Sequence, residues 1–441
     1  MKPPLVAFYG DDLTGSTDTL AVLAEAGLAT MLFLDRPTPE QRLAAGELAA
    51  LGIAGTARTM SPEQMDQQLP PIFDALKATG ARLVHYKVCS TFDSSPTVGS
   101  IGHAIALARS CFRRAFVPIV VAQPNIGRHT VFGNHFAVAA DHAVHRLDRH
   151  PTMSRHPVTP MHEADLRLVL AQQGLPRVAL LDIHRLRGGA AAAEFARILD
   201  DAPDAVLFDL LEESDLRAIG GLIAAELASG DPVLGVGSSG LQQALIAGWV
   251  ELAAAGARKA PLPDNRADAV LIVSGSRSPG TAAQIEAASH AGFALLPLDP
   301  ARLCETAAAD RHIAAYAEEA ARHIIAGRSV IAHTSMGPDD ARALSNPGRE
   351  TLDQLAHASG LIAREVLKRV PVSRIGIVGG DTSSVAARAL GVHALEYDFR
   401  LAPGVPVCRV RASGAQLDGL QVMFKGGQMG PPDIFAQLGH A

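Results

Sequence analysis

The feature that most constrains the fold of this chain is a regular alternation of short apolar runs with segments of helical periodicity. In the first half, the apolar runs cover residues 4–9, 29–34, 51–54, 83–88, 115–121, 178–181, 205–208 and 233–236. A second series covers residues 269–273, 294–297, 329–333, 375–378, 405–410 and 421–424. Strands that alternate with helices are typical of mostly parallel sheets covered by helices. The alternation therefore predicts an α/β fold.

The length of the chain and one polar stretch predict that the fold has two domains. With 441 residues, of which 48% are hydrophobic, the chain exceeds the size of one ordinary domain. Residues 256–265 are polar, contain proline and lack periodicity, as interdomain linkers do. We therefore expect two α/β domains with mostly parallel sheets, residues 1–257 and 266–441, and a cleft between them.

The composition argues against several classes of protein. A formal net charge of −6 gives no broad attraction to nucleic acid or to anionic membranes. The four cysteines lie far apart without paired spacing, which argues against a zinc site and against a disulfide framework. The N-terminus lacks the basic region of a signal peptide, and no apolar run reaches the roughly 20 residues of a membrane span. We expect a cytoplasmic protein.

The densest group of polar residues follows the first apolar run, in the turn that leads into the first predicted helix. Asp11 and Asp12 stand at the carboxyl end of the predicted strand, where α/β enzymes place much of their chemistry. Thr14, Ser16 or Asp18 could cap the helix, but capping accounts for one such residue and not for the group. Two adjacent carboxylates repel each other, so such a pair favours a cation, a proton transfer or a polyol ligand.

A second polar group follows the apolar run at residues 83–88. Lys87 stands near the end of this run, and Ser90, Thr91 and Asp93 come after it. A lysine beside hydroxyl groups suits the recognition of a carboxylate and several hydroxyls. The alternative is a solvent-facing lysine followed by a helix cap.

Two arginines and three histidines lie in polar segments further along the first half. Arg128 and Arg155 could each hold an acid group through paired donors, although either one alone is typical of an ordinary surface arginine. His129, His135 and His156 lack the spacing of metal-ligand pairs. We therefore predict no metal site formed by these side chains.

Three glycine-containing turns follow predicted strands in the second half. They contain Ser276 and Ser278, then Gly379 and Gly380, and finally Gly427. Backbone N–H groups and hydroxyls in such turns can approach a phosphate at a helix N-terminus. The chain contains neither G-x-x-x-x-G-K-[ST] nor a GxGxxG fingerprint, which excludes a P-loop and weakens a dinucleotide site. Three such turns in one half predict a nucleotide phosphate site of another kind.

Together these segments resemble the four-carbon acid sugar kinases, ATP-dependent kinases that act on tetronic acids. The resemblance runs nearly end to end and is carried by short motifs in the family's order: Asp-Asp-Leu-Thr-Gly at 11–15, Tyr-Lys at 86–87, Ser-Gly-Ser-Arg-Ser at 274–278, Gly-Gly-Asp-Thr at 379–382 and the turn at 425–430. It implies that the N-terminal domain binds a sugar acid and the C-terminal domain binds ATP. It also implies that Mg²⁺ bridges the nucleotide phosphates.

With this resemblance we assign expected roles to individual residues. The residues expected to be catalytic are Asp12 and Asp381. The residues expected to bind the sugar acid are Asp11, Lys87, Ser90, Thr91 and Arg155. The residues expected to bind the nucleotide are Ser276, Ser278, Gly379, Gly380, Asp381, Thr382 and Gly427.

Within the family, residues 89–94 look like the branch that phosphorylates 3-oxo-tetronates, so the terminal hydroxyl of a 3-oxo-tetronate is the predicted phosphoryl acceptor. Ser100 stands where the family has Asn, and residues 425–430 depart from the usual Lys-Ser-Gly-Asn-Phe-Gly ending. Threonate, erythronate and a branched oxo sugar acid such as 3-oxo-isoapionate are the alternative substrates.

Two other functional classes stay open. An NAD-dependent oxidoreductase would fit two α/β domains, but the missing dinucleotide fingerprint counts against it. A non-catalytic sugar-acid sensor would need an effector element and no phosphate site. The apolar helical segment at residues 240–255 could form a homodimer interface or simply cover the sheet.

Overall fold

The computed structural model of the protein describes all residues except 1, 113–115, 140–141, 157, 229, 257–266, 268, 306–307, 338–339, 341–343, 345–347, 381–382, 428 and 441. The chain divides into two compact units, Met1–Met31 with Asp35–Lys259 and Leu32–Leu34 with Ala260–Ala441. The predicted α/β class with two domains is confirmed. Most of the predicted linker lies outside the described residues, and the predicted domain limits stay a prediction.

The first unit is built on a parallel sheet. Along the chain up to residue 259, the strands are β1 Val6–Gly10, β2 Thr30–Phe33, β3 Ala50–Ala54, β4 Leu83–Lys87, β5 Pro118–Val120, β6 Arg128–Val131, β7 Asn134–Val138, β8 Val144–Arg146, β9 Val178–Leu181, β10 Ala205–Phe208 and β11 Val233–Gly237. The main sheet of this unit has the order β3-β1-β4-β11-β5-β10-β9, and all these neighbours run parallel. Every residue of β1, β3 and β4 is buried, which explains their continuous apolar pattern.

The register of this sheet aligns four strand ends. Gly10 at the end of β1 pairs with Ala54 of β3 and with Lys87 of β4, and Lys87 also pairs with Gly237 of β11. The residues that follow these strands therefore emerge side by side at one edge of the sheet.

Helices cover the sheet of the first unit. They are α1 Leu13–Glu25, α2 Pro39–Ala44, α3 Pro62–Ala78, α4 Ile101–Cys111, α5 Leu166–Gln172, α6 Ile183–Arg187, α7 Ala191–Asp200, α8 Leu216–Leu227, α9 Ser239–Gly248 and α10 Val250–Ala255. The cap of α1 is Asp12, so the predicted caps Thr14, Ser16 and Asp18 are wrong. Those three residues already lie inside the helix, where their side chains cannot reach its free N–H groups.

A small antiparallel sheet of β6, β7 and β8 was not predicted from the sequence. Its residues are mostly half-buried, and polar or charged residues occupy much of β6 and β8 and the start of β7. Asp209 fastens the β6–β7 turn because its carboxylate accepts from the backbone N–H groups of Phe132 (2.6 Å) and Gly133 (2.9 Å).

The second unit combines a parallel sheet with an antiparallel extension. Its strands are β12 Leu271–Ser274, β13 Ala294–Pro297, β14 Val330–His333, β15 Arg374–Val378, β16 Ala394–Ala402, β17 Val405–Arg411 and β18 Gln421–Lys425. Its helices are α11 Pro279–His290, α12 Pro300–Leu303, α13 Ala309–Ile325, α14 Arg349–Arg369, α15 Ser383–Leu390 and α16 Ile434–His440. The order β13-β14-β12-β15-β18 is parallel, and β17 and β16 continue it antiparallel.

Strand β16 was also missed by the sequence analysis. Glu396, Asp398 and Arg400 interrupt its apolar character at half-buried positions. The segment Leu32–Leu34 is counted with this unit because Leu32 and Phe33 pair antiparallel with the start of β16. Within the described residues, no helix is long and apolar enough to cross a membrane.

Candidate functional site

In the first unit, backbone hydrogen bonds join the turns that follow β1, β3 and β4. The N–H group of Asp11 donates to the carbonyl of Lys87 (2.9 Å), and the N–H group of Arg58 donates to the carbonyl of Asp11 (3.2 Å). Asp11 directly follows β1, Arg58 lies in the short 3₁₀ turn Ala57–Thr59 after β3, and Lys87 ends β4. The aligned strand ends therefore bring an acid, a guanidinium and an ammonium together.

Arg58 links two of the aspartates in this group. Its Nη2 donates to Oδ2 of Asp93 at 2.6 Å, and its Nη1 lies 3.4 Å from Oδ2 of Asp12. The side chain of Asp93 is fully buried, which alone would raise its pKa. The charge of Arg58 and the hydroxyl of Thr91 outweigh burial and hold the pKa of Asp93 well below its usual range. Asp93 is therefore an anion that fixes Arg58.

The sequence analysis missed Arg58. No motif marks this residue, and its partners are 46 and 35 positions away in the sequence. The available signal was its place just after an apolar run whose strand is a neighbour of β1. Position at a shared sheet edge could have identified it.

Asp12 is held by its own helix. Its Oδ1 accepts from the N–H of Gly15 at 2.8 Å, and its Oδ2 accepts from the hydroxyl of Thr14 at 2.7 Å. Together with Arg58, these donors occupy both carboxylate oxygens. The side chain therefore caps and anchors the start of α1.

Lys87 lies beside Asp12 in the interior. The lysine is 3% exposed, and its Nζ donates to the carbonyl of Val88 at 2.9 Å. A Cβ atom at Gly15 would lie 2.6 Å from this Nζ and 2.5 Å from Oδ1 of Asp12. Glycine at position 15 thus leaves room for the ammonium and the carboxylate at the helix start. The alternative of a solvent-facing lysine is wrong.

Asp11 differs from its neighbour in lacking hydrogen bonds to its carboxyl group. The residue is 4% exposed, and its Oδ1 is buried with no hydrogen-bond partner among the described residues. Burial, reinforced by the nearby charge of Asp12, raises the pKa of Asp11 to about 8. An unsatisfied buried acceptor is costly, so this oxygen is available to a ligand.

The loop after β4 is fixed by a buried histidine. Nε2 of His135 donates to the carbonyl of Ser90 at 2.7 Å, which leaves Nδ1 to accept from the hydroxyl of Thr130 at 3.0 Å. Burial lowers the pKa of His135 to about 3, so the ring is neutral. Thr91 in the same loop donates to Oδ1 of Asp93 at 2.5 Å. Thr91 thus belongs to the same network as Arg58, whereas Ser90 is held through its carbonyl by His135.

The two predicted arginines have different environments. Arg128 is half-buried, and its Nη1 lies 3.2 Å from the carbonyls of Ile126, Gly127 and Val138. It is therefore a structural residue of the small sheet and not an ordinary surface arginine. Arg155 is exposed in a 3₁₀ turn, and its side chain makes no hydrogen bond to the described residues. The role predicted for Arg155 stays a prediction.

In the second unit, the three glycine-containing turns meet at one edge of the parallel sheet. The N–H group of Gly275 donates to the carbonyl of Val378, and the N–H group of Gly379 donates to the carbonyl of Lys425, both at 3.0 Å. These contacts follow from the pairing of β15 with both β12 and β18. The turns predicted to bind phosphate therefore lie side by side.

Ser276, Ser278 and Gly427 are in close contact. A Cβ atom at Gly427 would lie 2.8 Å from Oγ of Ser276 and 2.9 Å from Cβ of Ser278. The hydroxyl of Thr281 at the start of α11 also donates to the carbonyl of Gly427 at 2.9 Å. Position 427 therefore has no room for a side chain, because the serine-containing turn packs directly on it.

The turn after β15 leaves space around Gly380. No atom lies within 4 Å of a Cβ built there, and the hydroxyl of Ser383 donates to the carbonyl of Gly379. The hydroxyls of Ser274 and Ser384 are buried without a partner among the described residues. Free donors and open space are what a phosphate group requires. The predicted residues Asp381 and Thr382 lie outside the described part of the chain.

Lys425 holds the last of the three turns through hydrogen bonds of its buried side chain. It is fully buried, and its Nζ donates to the carbonyls of Gly426 (2.9 Å) and Met429 (3.1 Å). Burial lowers the pKa of Lys425 to about 7. A neutral amine carries two N–H donors, which match these two carbonyls.

A small, largely apolar cavity lies beside the same turns. It has a volume of about 30 Å³ and is lined by residues at the ends of β12, β14 and β15 and on α14 and α15. Among the residues described, no group of three or more His, Cys, Asp or Glu side chains is placed to hold a metal ion.

Comparison with known families and proteins agrees with these two sites. The family model for the sugar-binding N-terminal domain matches residues 6–245, and that for the nucleotide-binding C-terminal domain matches residues 271–435. The chain is 40% identical to a 3-oxo-isoapionate kinase of Paraburkholderia graminis, over 98% of this chain and 94% of the relative. It is 30% identical to a 3-oxo-tetronate kinase of Cupriavidus necator, over 98% of this chain and 96% of the relative.

Solved structures support the fold. A crystal structure from Salmonella typhimurium LT2 matches with a TM-score of 0.78 and 24% identity, over 99% of this chain and 98% of that one. Both family models and the relatives named above cover nearly the whole chain. The chain therefore belongs to the four-carbon acid sugar kinase family, a family of sugar acid kinases.

Proposed function

We propose that this protein transfers the γ-phosphoryl group of ATP to the terminal hydroxyl of a 3-oxo sugar acid, with 3-oxo-tetronate as the first substrate to consider. The observation that carries the proposal is the group formed by the buried residues Asp11, Asp12 and Lys87 with the half-buried Arg58 at aligned strand ends. This group lies inside the region matched by the sugar-binding family model. Buried charges of both signs suit a small ligand that carries a carboxylate and several hydroxyls.

We propose that residues 1–257 form the sugar-acid-binding domain. Lys87 and Arg58 would attract the substrate carboxylate, because each is a cation held by buried partners. Asp11 and Asp12, together with Ser90 and Thr91 in the adjoining loop, would contact its hydroxyls. Arg155 would contribute from the exposed turn Met153–Arg155.

We propose that residues 266–441 bind ATP. Ser276, Ser278, Gly379, Gly380 and Gly427 would line the nucleotide phosphates, together with Asp381 and Thr382. The unpaired hydroxyls of Ser274 and Ser384 and the open space at Gly380 support this assignment. Mg²⁺, held by the nucleotide phosphates, would offset negative charge during the transfer.

A branched substrate is the second candidate. The 40% identity to a 3-oxo-isoapionate kinase exceeds the 30% identity to a 3-oxo-tetronate kinase over the same share of the chain. This difference favours testing 3-oxo-isoapionate alongside the four-carbon acids. Homodimer formation and a cytoplasmic location stay predictions.

The test is a coupled assay of ADP release with Mg²⁺ and ATP. The panel contains 3-oxo-tetronates, 3-oxo-isoapionate, threonate and erythronate. We expect one 3-oxo acid to exceed threonate and erythronate in kcat/KM by at least about tenfold. No ADP release with any member would contradict the proposed function, and NADH formation or binding without turnover would favour the oxidoreductase or the sensor.

A variant with an altered nucleotide site provides a second arm. Among the described residues no atom lies within 4 Å of a Cβ at Gly380, so Gly380→Val places its side chain in space that we assign to a phosphate. ATP should raise the melting temperature of the parent protein and not that of the variant. The sugar acid should stabilise both proteins equally.

A further inference from the structure

Asp11 and Asp12 are adjacent in sequence, yet their carboxyl groups are not equally free to react. The oxygens of Asp12 already accept from Gly15, Thr14 and Arg58. Both carboxylate oxygens are thus held by donors of the protein itself. Asp12 therefore has the properties of a positioning residue.

The carboxyl group of Asp11 has the opposite properties. Its backbone is clamped between Lys87 and Arg58, while its Oδ1 is buried and has no partner among the described residues. The backbone hydrogen bonds fix where the carboxyl group sits without using its oxygens. A base needs an oxygen that is both fixed in position and free to accept a hydrogen bond.

We propose that Asp11, and not Asp12, takes the proton of the substrate hydroxyl that becomes phosphorylated. The inference rests on the proposed function. As the hydroxyl oxygen attacks the γ-phosphorus, its proton passes to Oδ1 of Asp11. The new P–O bond forms while the bond from the γ-phosphorus to the β,γ-bridging oxygen breaks, and ADP leaves with that electron pair. Asp11 returns the proton to solvent after the products leave.

The charges around Asp11 determine how activity depends on pH. Asp12 and Asp93 raise its pKa, whereas Arg58 and Lys87 lower it, and Tyr86 lies close enough to interact with it. Burial is the largest of these effects, and the pKa reaches about 8. A base must be ionised, so kcat/KM should rise as the pH increases from 6.5 to about 8 and then level off.

The experiment compares three isosteric or near-isosteric variants with the parent protein. Asp11→Asn should lower kcat about 10³-fold while the dissociation constant of the sugar acid changes less than about fivefold. Asp11→Glu should keep the rising limb of the pH profile at reduced kcat. Asp12→Asn should keep the rising limb, with its effect mainly on KM and on thermal stability.

The outcomes separate this proposal from the proposed function. No turnover by the parent protein with any sugar acid contradicts the proposed function. If the parent turns over, two results overturn the assignment of Asp11: Asp11→Asn with more than about one-tenth of the parental kcat, or a parental kcat/KM that is flat or falls between pH 6.5 and 8. If Asp11→Asn fails to fold, the profile of Lys425→Met decides, because the pKa of Lys425, about 7, lies in the same range: loss of the rising limb in Lys425→Met overturns the assignment of Asp11.

Discussion

The two candidate sites both lie at the ends of parallel strands in their respective sheets. The first is built from charged side chains and the second from glycines and serine hydroxyls. In the first unit, charged groups follow β1, β3 and β4, and an arginine between two aspartates holds them in place. In the second unit, glycines and serine hydroxyls follow β12, β15 and β18. Close packing holds Gly427 against Ser276 and Ser278, while the space at Gly380 is open among the described residues. A parallel sheet edge therefore fixes where ligands bind, while the turn residues fix which ligands bind.

This difference predicts different weaknesses. Buried charges are stable only with their partners, so the first site should be damaged by loss of a charge. A turn packed at van der Waals contact has no spare volume, so the second site should be damaged by gain of a methyl group. Three variants test this contrast, beginning with the largest expected effect.

Removing Arg58 should cause the largest effect. Arg58→Ala leaves the fully buried carboxylate of Asp93 without its guanidinium, which should lower the free energy of unfolding by about 3 kcal/mol at pH 7. The folded-state pKa of Asp93 lies below its ordinary value of 3.8, so this stabilisation exists above pH 3.8 and fades as the pH falls. Urea unfolding at pH 7 and pH 3 measures both effects.

The matched control is an arginine in an exposed ion pair. Arg411 pairs with Glu396 at 2.9 Å, and the arginine is 45% and the glutamate 32% exposed. Arg411→Ala should change the free energy of unfolding by less than about 1 kcal/mol. Equal losses from the two substitutions would show that burial of the Arg58 network does not matter.

Adding one methyl group should impair the second site. The Cβ atom of Gly427→Ala would lie 2.8 Å from Oγ of Ser276, so the serine-containing turn must shift at a cost of about 1–2 kcal/mol. We expect KM for ATP to rise about tenfold with KM for the sugar acid unchanged. Gly414→Ala is the control, because no atom lies within 4 Å of its Cβ. Unaltered ATP kinetics in Gly427→Ala would contradict the close-packing account.

The smallest effect per pH unit concerns the buried Lys425. Its folded-state pKa of about 7 lies below the ordinary 10.5, so the unfolded chain binds more protons between these values. Stability should therefore rise with pH above 7, by at most about 1.4 kcal/mol per pH unit from this group. Lys425→Met should remove that part of the slope in urea unfolding at pH 7, 8 and 9. Identical slopes would mean that the lysine stays charged inside the protein.

Much of the fold could be predicted from the sequence, because a strand that is buried on both faces of a parallel sheet consists of consecutive apolar residues. The runs at residues 178–181, 205–208 and 294–297 coincide with β9, β10 and β13, although only β10 is buried along its whole length. The small sheet of β6, β7 and β8 and strand β16 were not predicted, because polar and charged residues occupy half-buried positions there. Their pairing depends on partner strands rather than on local pattern.

The candidate sites show the same division. The sequence identified Asp11, Asp12 and Lys87, and the glycine-containing turns of the second half, because polar residues after apolar runs are a local signal. It could not identify Arg58, whose contact with Asp93 depends on the pairing of β3 with β1 and of β1 with β4.

The sequence by itself determined the alternation of strands and helices and the chemical character of each turn, since both depend on neighbouring residues. Only the tertiary structure decided which aspartate of the adjacent pair is free. Asp12 is occupied by its own helix and by Arg58 from 46 positions away, whereas Oδ1 of Asp11 is buried without a partner among the described residues. Burial and hydrogen bonding, which set the reactivity of a carboxyl group, are properties of the assembled sheet edge.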